Sequence, residues 1–338
     1  MDVDDVRNSG HEMLCVSQSQ VARVVTMHTS GSTGEPKRYF FTQRDLRSTR
    51  SFFYDGMLSL ISPRDHVLVL LPWEQPASVG GLLIDALSSK GIMVEGCWPP
   101  DFANGFVPLI RSNRISCVVG LPPHLLHLSE MLSKGDLKSM LLCSDYASPV
   151  LRRRIEQNVD CSTFLHYGST ESGLGGGVEC SNHDGCHVRE SDLLFEIVDL
   201  ETGRQLPDGS AGEIVLTTLA REAMPLIRYR TGDHGVKLST PCRCGGISVR
   251  LCSLTGRITP CRLRYGGEIY SDELDDLLYA QPGLLDYRVM IHDKDDIETM
   301  DISFTVTAGT VITIDDIRSQ LVHHPVIARN VAVGNMQI

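Results

Sequence analysis

Thr29, Ser30, Gly31, Ser32, Thr33, Gly34, Glu35, Pro36 and Lys37 bring two glycines, four hydroxyl side chains and one lysine into nine positions. Glycines let a backbone turn tightly and bring its N–H groups close to an anion. The hydroxyls add donors, and Lys37 adds a point charge. The set suits a phosphate cradle, or else a polar surface loop. It is not the Walker pattern, because no Ser or Thr follows the lysine. Two later segments carry compatible chemistry. His166, Tyr167, Gly168, Ser169, Thr170 and Glu171 offer an aromatic face, a glycine, hydroxyls and a carboxylate. The run Ile227–Asp233 ends in a Gly-Asp turn with a carboxylate. Either segment alone is also compatible with a structural turn.

The elements that must position these groups follow from periodicity. Strands are predicted at 24–27 and 39–42, a hairpin with the glycine-rich loop at its tip. Thr42 suits the N-cap of a helix from Gln43 to about Leu60. Apolar runs at 65–71, 91–95, 115–120, 139–143 and 161–165 read as strands. Helices are predicted between them at 78–90, 106–113, 124–132 and 149–158, with Leu121-Pro-Pro123 as a break. Strands alternating with helices argue for a parallel α/β sheet, whose ligands sit beyond the carboxyl ends of the strands. Residues 270–338 read as α+β.

Composition narrows the function class. The chain has 338 residues, 42% of them hydrophobic and 22% charged, with a formal net charge of −11. That is ordinary for a globular protein, and the charge disfavours nucleic acid as a partner. No apolar run long enough for a membrane span occurs. The acidic start is unlike a secretory leader, and eleven cysteines without one read as cytoplasmic thiols or metal ligands.

Taken together and in this order, the three segments resemble motifs of the adenylate-forming (AMP-binding) superfamily. They match its Ser/Thr/Gly-rich motif ending in Pro-Lys, its Tyr-Gly-x-Thr-Glu motif and its Tyr-Arg-Thr-Gly-Asp motif. Gly256-Arg257 resembles its hinge. The phrasing around Glu179-Cys180, Gly185-Cys-His187, Pro225–Tyr229 and Cys242-Arg-Cys244-Gly245 is similar to the phenylacetate-CoA ligase branch.

The resemblance implies an α/β fold. A large adenylate-forming domain over 1–255 has parallel sheets flanked by helices and a small barrel-like β region. A small, shortened α+β domain follows over 256–338. It also implies a chemistry: a carboxylic acid attacks the α-phosphate of ATP, an acyl-adenylate forms, and a thiol displaces AMP. The 29–37 loop would then hold the β- and γ-phosphates, and Thr170 would donate to the α-phosphate. Glu171 would hold Mg²⁺, and Tyr167 would stack on adenine. Ser144, Asp145 and Tyr146 would border the base, Asp233 would accept the ribose hydroxyls, and Arg257 would contact ribose or phosphate. His166, Gly168 and Ser169 complete the nucleotide set. An acyl pocket is expected among Trp73, Ser78–Gly81, Gly120–Pro123 and Gly168, for a monocarboxylic acid with an apolar or aromatic body.

Cys242 and Cys244, with Cys180 and His187 upstream, make a candidate Cys₃His set for a structural Zn²⁺. Cys186 competes with His187 as the fourth ligand, and free thiols are the alternative. Three departures from the relatives stand out. About 28 residues precede the cradle where relatives have many more. Thr259-Pro260 stand where relatives place the hinge Asp, and no lysine follows Lys294 although relatives end on a catalytic Gly-Lys. Three readings are therefore open: an acid–thiol ligase with CoA as acceptor, an acyl-protein synthetase loading a protein thiol, and a degenerate nucleotide-binding protein. A homodimer is a further option.

Overall fold

The computed structural model describes residues 1–27, 36–75, 77–103, 105–294 and 297–338. Helix α1 (Val3–Ser9) is capped by Asp2. Strands β1 (Val21–Met27) and β2 (Lys37–Thr42) pair antiparallel with Met27 opposite Lys37. They bracket the expected cradle, and Thr29, Ser30, Gly31, Ser32, Thr33 and Gly34 lie outside the described residues. Helix α2 (Gln43–Met57) starts at Thr42, whose hydroxyl accepts from the Asp45 N–H while Asp45 accepts from the Thr42 N–H. That reciprocal box satisfies donors that a helix start leaves free.

The alternating segment then builds β3 (His66–Leu70), α3 (Val79–Ser88), β4 (Met93–Gly96), α4 (Phe106–Ser112), β5 (Cys117–Gly120), α5 (Pro122–Met131), β6 (Ser139–Leu142), α6 (Pro149–Val159) and β7 (Ser162–Tyr167). The five strands pair in parallel in the order β4-β3-β5-β6-β7. Side chains of a strand alternate between faces, and the core divides accordingly. Val67, Val69, Cys117, Val119 and Leu141 face the apolar side of α2 and α3. Leu68, Leu70, Val118, Met140 and Leu142 face α4, α5 and α6. Burial on both faces explains why these strands are continuous apolar runs.

One predicted boundary is corrected here. Leu121-Pro-Pro123 does not break the chain direction. Pro122 and Pro123 open α5, because the first helical positions need no N–H.

Strand β7 is where the sheet changes character. Residues 162–165 pair in parallel with β6, whereas His166 and Tyr167 pair antiparallel with β8 (Gly177–Glu179). The strand thus runs two residues past its predicted end and carries the start of the second motif. Five more strands follow in the chain, β9 (Cys186–Val188), β10 (Leu193–Val198), β11 (Ala211–Thr218), β12 (Tyr229–Leu238) and β13 (Arg250–Cys252), and from β8 the sheet continues antiparallel in the order β9-β13-β12-β11-β10, eleven strands among the described residues. Phe195, Ile197, Ile214, Leu216 and Leu251 give this part its own core.

Beyond it lie the hairpin β14 (Cys261–Arg262) and β15 (Glu268–Ile269), α7 (Ser271–Leu278), and the long hairpin β16 (Leu284–Lys294) and β17 (Ile297–Val306). Helices α8 (Ile314–Leu321) and α9 (Pro325–Ala332) and the short β18 (Met336–Gln337), parallel to β17, complete it. Leu263, Leu274, Leu278 and Leu284 join the cluster that covers α5 and α6. Arg154 of α6 donates to the carbonyls of Tyr279 at 3.1 Å and Leu284 at 2.8 Å.

Asp45 ties the start of α2 to a distant loop. It is 6% exposed, and its carboxylate accepts from the N–H groups of Glu222 and Ala223 as well as Thr42. Asp45→Ala leaves three buried donors without partners. The unfolding free energy, read from a denaturant titration, is expected to fall by about 2–4 kcal/mol.

Candidate active site

Three elements far apart in sequence meet at one carboxylate. Glu171 lies in the turn after β7, and its side chain is 9% exposed. Lys37, at the start of β2, donates to Oε1 at 3.3 Å. The Tyr39 hydroxyl, two residues along the same strand, donates to that oxygen at 2.5 Å. The Tyr229 hydroxyl, at the start of β12, donates to it at 3.1 Å. Burial pushes the Glu171 carboxyl up. The Lys37 ammonium and the Tyr39 hydroxyl overcome that push, and the group is held below its usual range. Burial beside this carboxylate drives the Tyr39 phenol far upward and raises Tyr229 as well, so both stay protonated donors.

The second motif and the Gly-Asp turn also meet. The Tyr167 hydroxyl donates to Asp233 Oδ2 at 3.0 Å, and the Tyr167 ring packs edge-on to Phe195. Arg257 reaches Asp233 Oδ1 at 3.2 Å and donates to the Thr231 carbonyl at 2.7 Å. Burial raises the Asp233 carboxyl against the opposing pull of Arg257. Ser144, Asp145 and Tyr146 follow β6 and line the same hollow as Tyr167, Asp233 and Arg257, a cavity of about 240 Å³.

A second cavity, of about 340 Å³, opens beside it and contains Lys37, Thr170 and Glu171. Ser144, His166, Gly168, Ser169 and Arg257 border both hollows, so the two form one cleft at the carboxyl edge of the parallel strands. Gly168 keeps this junction passable. A Cβ there would lie 2.7 Å from His166 Cε1. The His166 ring packs near Phe52 and Phe53, and burial lowers its pKa to about 4, which keeps it neutral near pH 7.

The walls of the second cavity differ from the set expected to line an acyl pocket. Val79 and Gly168 contribute, but Trp73 and Gly120–Pro123 do not. Phe52, Phe53 and Met57 of α2 and Leu83 of α3 join strand residues such as Val119 and Leu141 in the apolar face. The signal for the α2 residues was the amphipathic pattern of that helix, which places these side chains on the sheet-facing side. Tyr39 was also missed. It is two positions from Lys37 on a strand, and the period of two puts both side chains on one face.

Cys180, His187, Cys242 and Cys244 place their ligand atoms within 4.8 Å of one another. Cys180 and Cys242 Sγ are 3.7 Å apart, and Cys244 Sγ is 3.4 Å from His187 Nε2. A tetrahedron with Zn–S and Zn–N arms has edges of about 3.5–3.8 Å. His187 Nδ1 meets the Ser248 hydroxyl at 2.9 Å, which orients the ring. Cys186 is not in this group. Its thiol points to the Leu165 carbonyl.

The Lys37–Glu171 contact sets a pH expectation. Because the folded pKa of Glu171 lies below the ordinary 4.5, its contribution to stability is present above that pH. It is lost as pH falls through the lowered folded value. In Lys37→Met burial acts with one opponent fewer. The Glu171 carboxyl should then titrate higher than in the unaltered protein, read as its ¹³C shift against pH, and its acid-labile contribution to stability should be smaller. Identical titrations of the two proteins would disprove the coupling.

A profile of the family described as AMP-binding enzyme matches residues 11–219. The chain is 27% identical over 310 residues to a phenylacetate-coenzyme A ligase of Thermus thermophilus, covering 87% of this chain and 68% of that protein. It is 27% identical over 323 residues to a phenylacetate-coenzyme A ligase of Pseudomonas putida, covering 90% and 71%. Its fold matches the crystal structure of 2-hydroxyisobutyryl-CoA ligase in the postadenylation state with a TM-score of 0.78, at 19% identity, over 100% of this chain and 74% of that one. With Lys37 of the first motif and residues of the other two gathered into one cleft, and the family profile spanning more than half its length, the chain belongs to the AMP-binding enzyme family, on the side of its phenylacetate-CoA ligase-like members.

Proposed function

We propose that this protein uses ATP to activate a carboxylic acid as its acyl-adenylate and passes the acyl group to a thiol, with CoA as the acceptor. The observation that carries the reading is the continuity of the two hollows across His166 and Gly168. One is the more polar and holds Asp233, and the other is largely apolar and holds Phe52 and Phe53. A nucleotide in the first and an acid in the second would meet at the shared wall.

The residues suit these tasks. In-line displacement at phosphorus depends on positioning and on neutralising charge more than on covalent help. Lys37 and Thr170 would supply donors to phosphate oxygens, together with the loop at 29–34. Glu171 offers a hard carboxylate beside them and would hold Mg²⁺, which would supply charge neutralisation there. Asp233 has two oxygens for two ribose hydroxyls, and it would exchange its contact with Arg257 for them. Tyr167 and the 144–146 segment would border the base. In the acyl hollow the charged linings are Lys37, Glu171 and Arg257. The remaining wall fits an aryl or aliphatic monocarboxylic acid. Residues 256–338 would act as the second, smaller domain, and a cytoplasmic location would keep the thiols reduced.

The Cys180, His187, Cys242 and Cys244 set would hold a structural Zn²⁺ rather than a catalytic one. Four protein ligands leave no open position.

Acid-dependent exchange of labelled pyrophosphate into ATP tests the activation step. Exchange is expected with at least one aryl or medium-chain acid, and Glu171→Ala should lower it by roughly 10²–10³-fold or more. No exchange across a broad acid panel would refute the proposal and favour a nucleotide-binding protein without ligase activity. Thioester formed with CoA alone supports CoA as acceptor, whereas label on a protein cysteine would move the assignment to a protein thiol. For the metal, about one equivalent of zinc per chain is expected after purification without chelators. Chelation should lower the thermal midpoint, and a metal content well below one equivalent counts against the site.

A further inference from the structure

Behind the turn that carries Glu171, two arginines that the cleft does not use converge on Gly173. Arg189 follows β9, and Arg221 lies between β11 and β12. Gly173 has φ +79°, and a Cβ there would lie 2.7 Å from an Arg221 terminal nitrogen and 2.9 Å from one of Arg189. Only a glycine lets both guanidinium groups come this close. Phe52 lies under Arg189 at 5.0 Å and Phe41 under Arg221 at 5.1 Å. The gap beside them has about 20 Å³ of free space. One water-sized particle needs at least about 10–15 Å³.

The hydrogen-bond accounting of this gap is lopsided. The Arg189 side chain is 10% exposed. One of its terminal nitrogens donates to the Ser172 carbonyl at 2.7 Å, while its Nε and other terminal nitrogen have no partner. A terminal nitrogen of Arg221 is also without one. Asp45 and Asp192 line the same gap. Both Asp45 oxygens accept from backbone N–H groups. Asp192 accepts from the Ser48 hydroxyl and stands 3.6 Å from Arg189, beyond a good hydrogen bond. The Thr49 and Thr218 hydroxyls donate to the carbonyls of Gly173 and Leu226. Three buried guanidinium nitrogens of Arg189 and Arg221 thus have no hydrogen-bond acceptor, a costly arrangement, and both side chains line the gap. A water molecule placed there would bring two protons of its own that need acceptors. A halide brings none. Burial also pulls both arginines down to about 10, which marks charge held without full compensation.

We propose that the gap between Arg189 and Arg221 binds one small monovalent anion of the halide class, chloride in solution. The anion ties the two guanidinium groups together across Gly173. Arg189 also holds the Ser172 carbonyl, so the anion stiffens the turn that presents Glu171. The site touches no substrate, and it stands or falls independently of the ligase reading.

The test uses the full chain without substrates. Crystals soaked in sodium bromide are expected to show a bromine anomalous peak within hydrogen-bonding reach of Arg189 and Arg221. Density in the gap without anomalous signal, or no density, overturns the proposal. In solution, protein dialysed into acetate and titrated with chloride at constant ionic strength should gain a saturating rise in thermal midpoint of about 2–4 °C. Arg221→Met should lose that chloride-specific rise. An equal rise in the variant also overturns the proposal, and the diffraction experiment needs no variant to decide it.

Discussion

The cleft depends on one buried carboxylate. Glu171 would be costly to hold ionised at 9% exposure without partners, and its partners come from positions 37, 39 and 229. Satisfying it fixes the start of β2 and the start of β12 against the turn after β7. Placement of the neighbouring groups follows. The turn sets Thr170 and Gly168, and β12 carries Asp233 four residues beyond Tyr229. A buried charge is weak evidence for stability, because its desolvation competes with the attraction. It is better evidence that these elements have only one arrangement that leaves no donor or acceptor stranded.

The sheet explains why the functional groups gather where they do. Parallel strands end together, and the loops that leave their carboxyl ends share one edge. Strand β7 adds something a purely parallel sheet lacks. Its last two residues pair antiparallel with β8, so His166 and Tyr167 stand at the seam between two kinds of pairing. The seam lets one strand present a residue to each side of the cleft. His166 faces the phenylalanines of α2, and Tyr167 reaches toward Asp233.

Much of this was legible from residue types and spacing. The hairpin around the glycine-rich loop, the Thr42 cap and the alternation of apolar runs with helices all follow from local rules. The gathering of Glu171, Asp233 and the Cys/His set followed from motif order. What was not legible depended on distance in space. Phe52 and Phe53 fall inside a predicted helix, and periodicity gives the buried face of a helix and not what that face meets. Tyr39 falls inside a predicted strand, where the pattern likewise does not show what its side chain meets. The prolines of α5 misled because a proline marks either a break or a helix start, and only the register of the following turn separates the two. Arg189 and Arg221 gave no local signal at all, since their closeness depends on a glycine sixteen residues from one and forty-eight from the other.

Arg154 carries a consequence for motion. Its guanidinium rests on three carbonyls of the segment that follows α7, and Leu278 and Leu284 bury themselves in the layer shared with α5 and α6. Any swing of the last eighty or so residues away from the sheet would strand those carbonyls and wet that apolar layer. Such a swing is an equilibrium in which a ligand must favour the displaced form by more than the staple favours the docked one. Turnover, wherever it requires that displacement, is then governed by how firmly a helix far from the chemistry grips the tail of the chain.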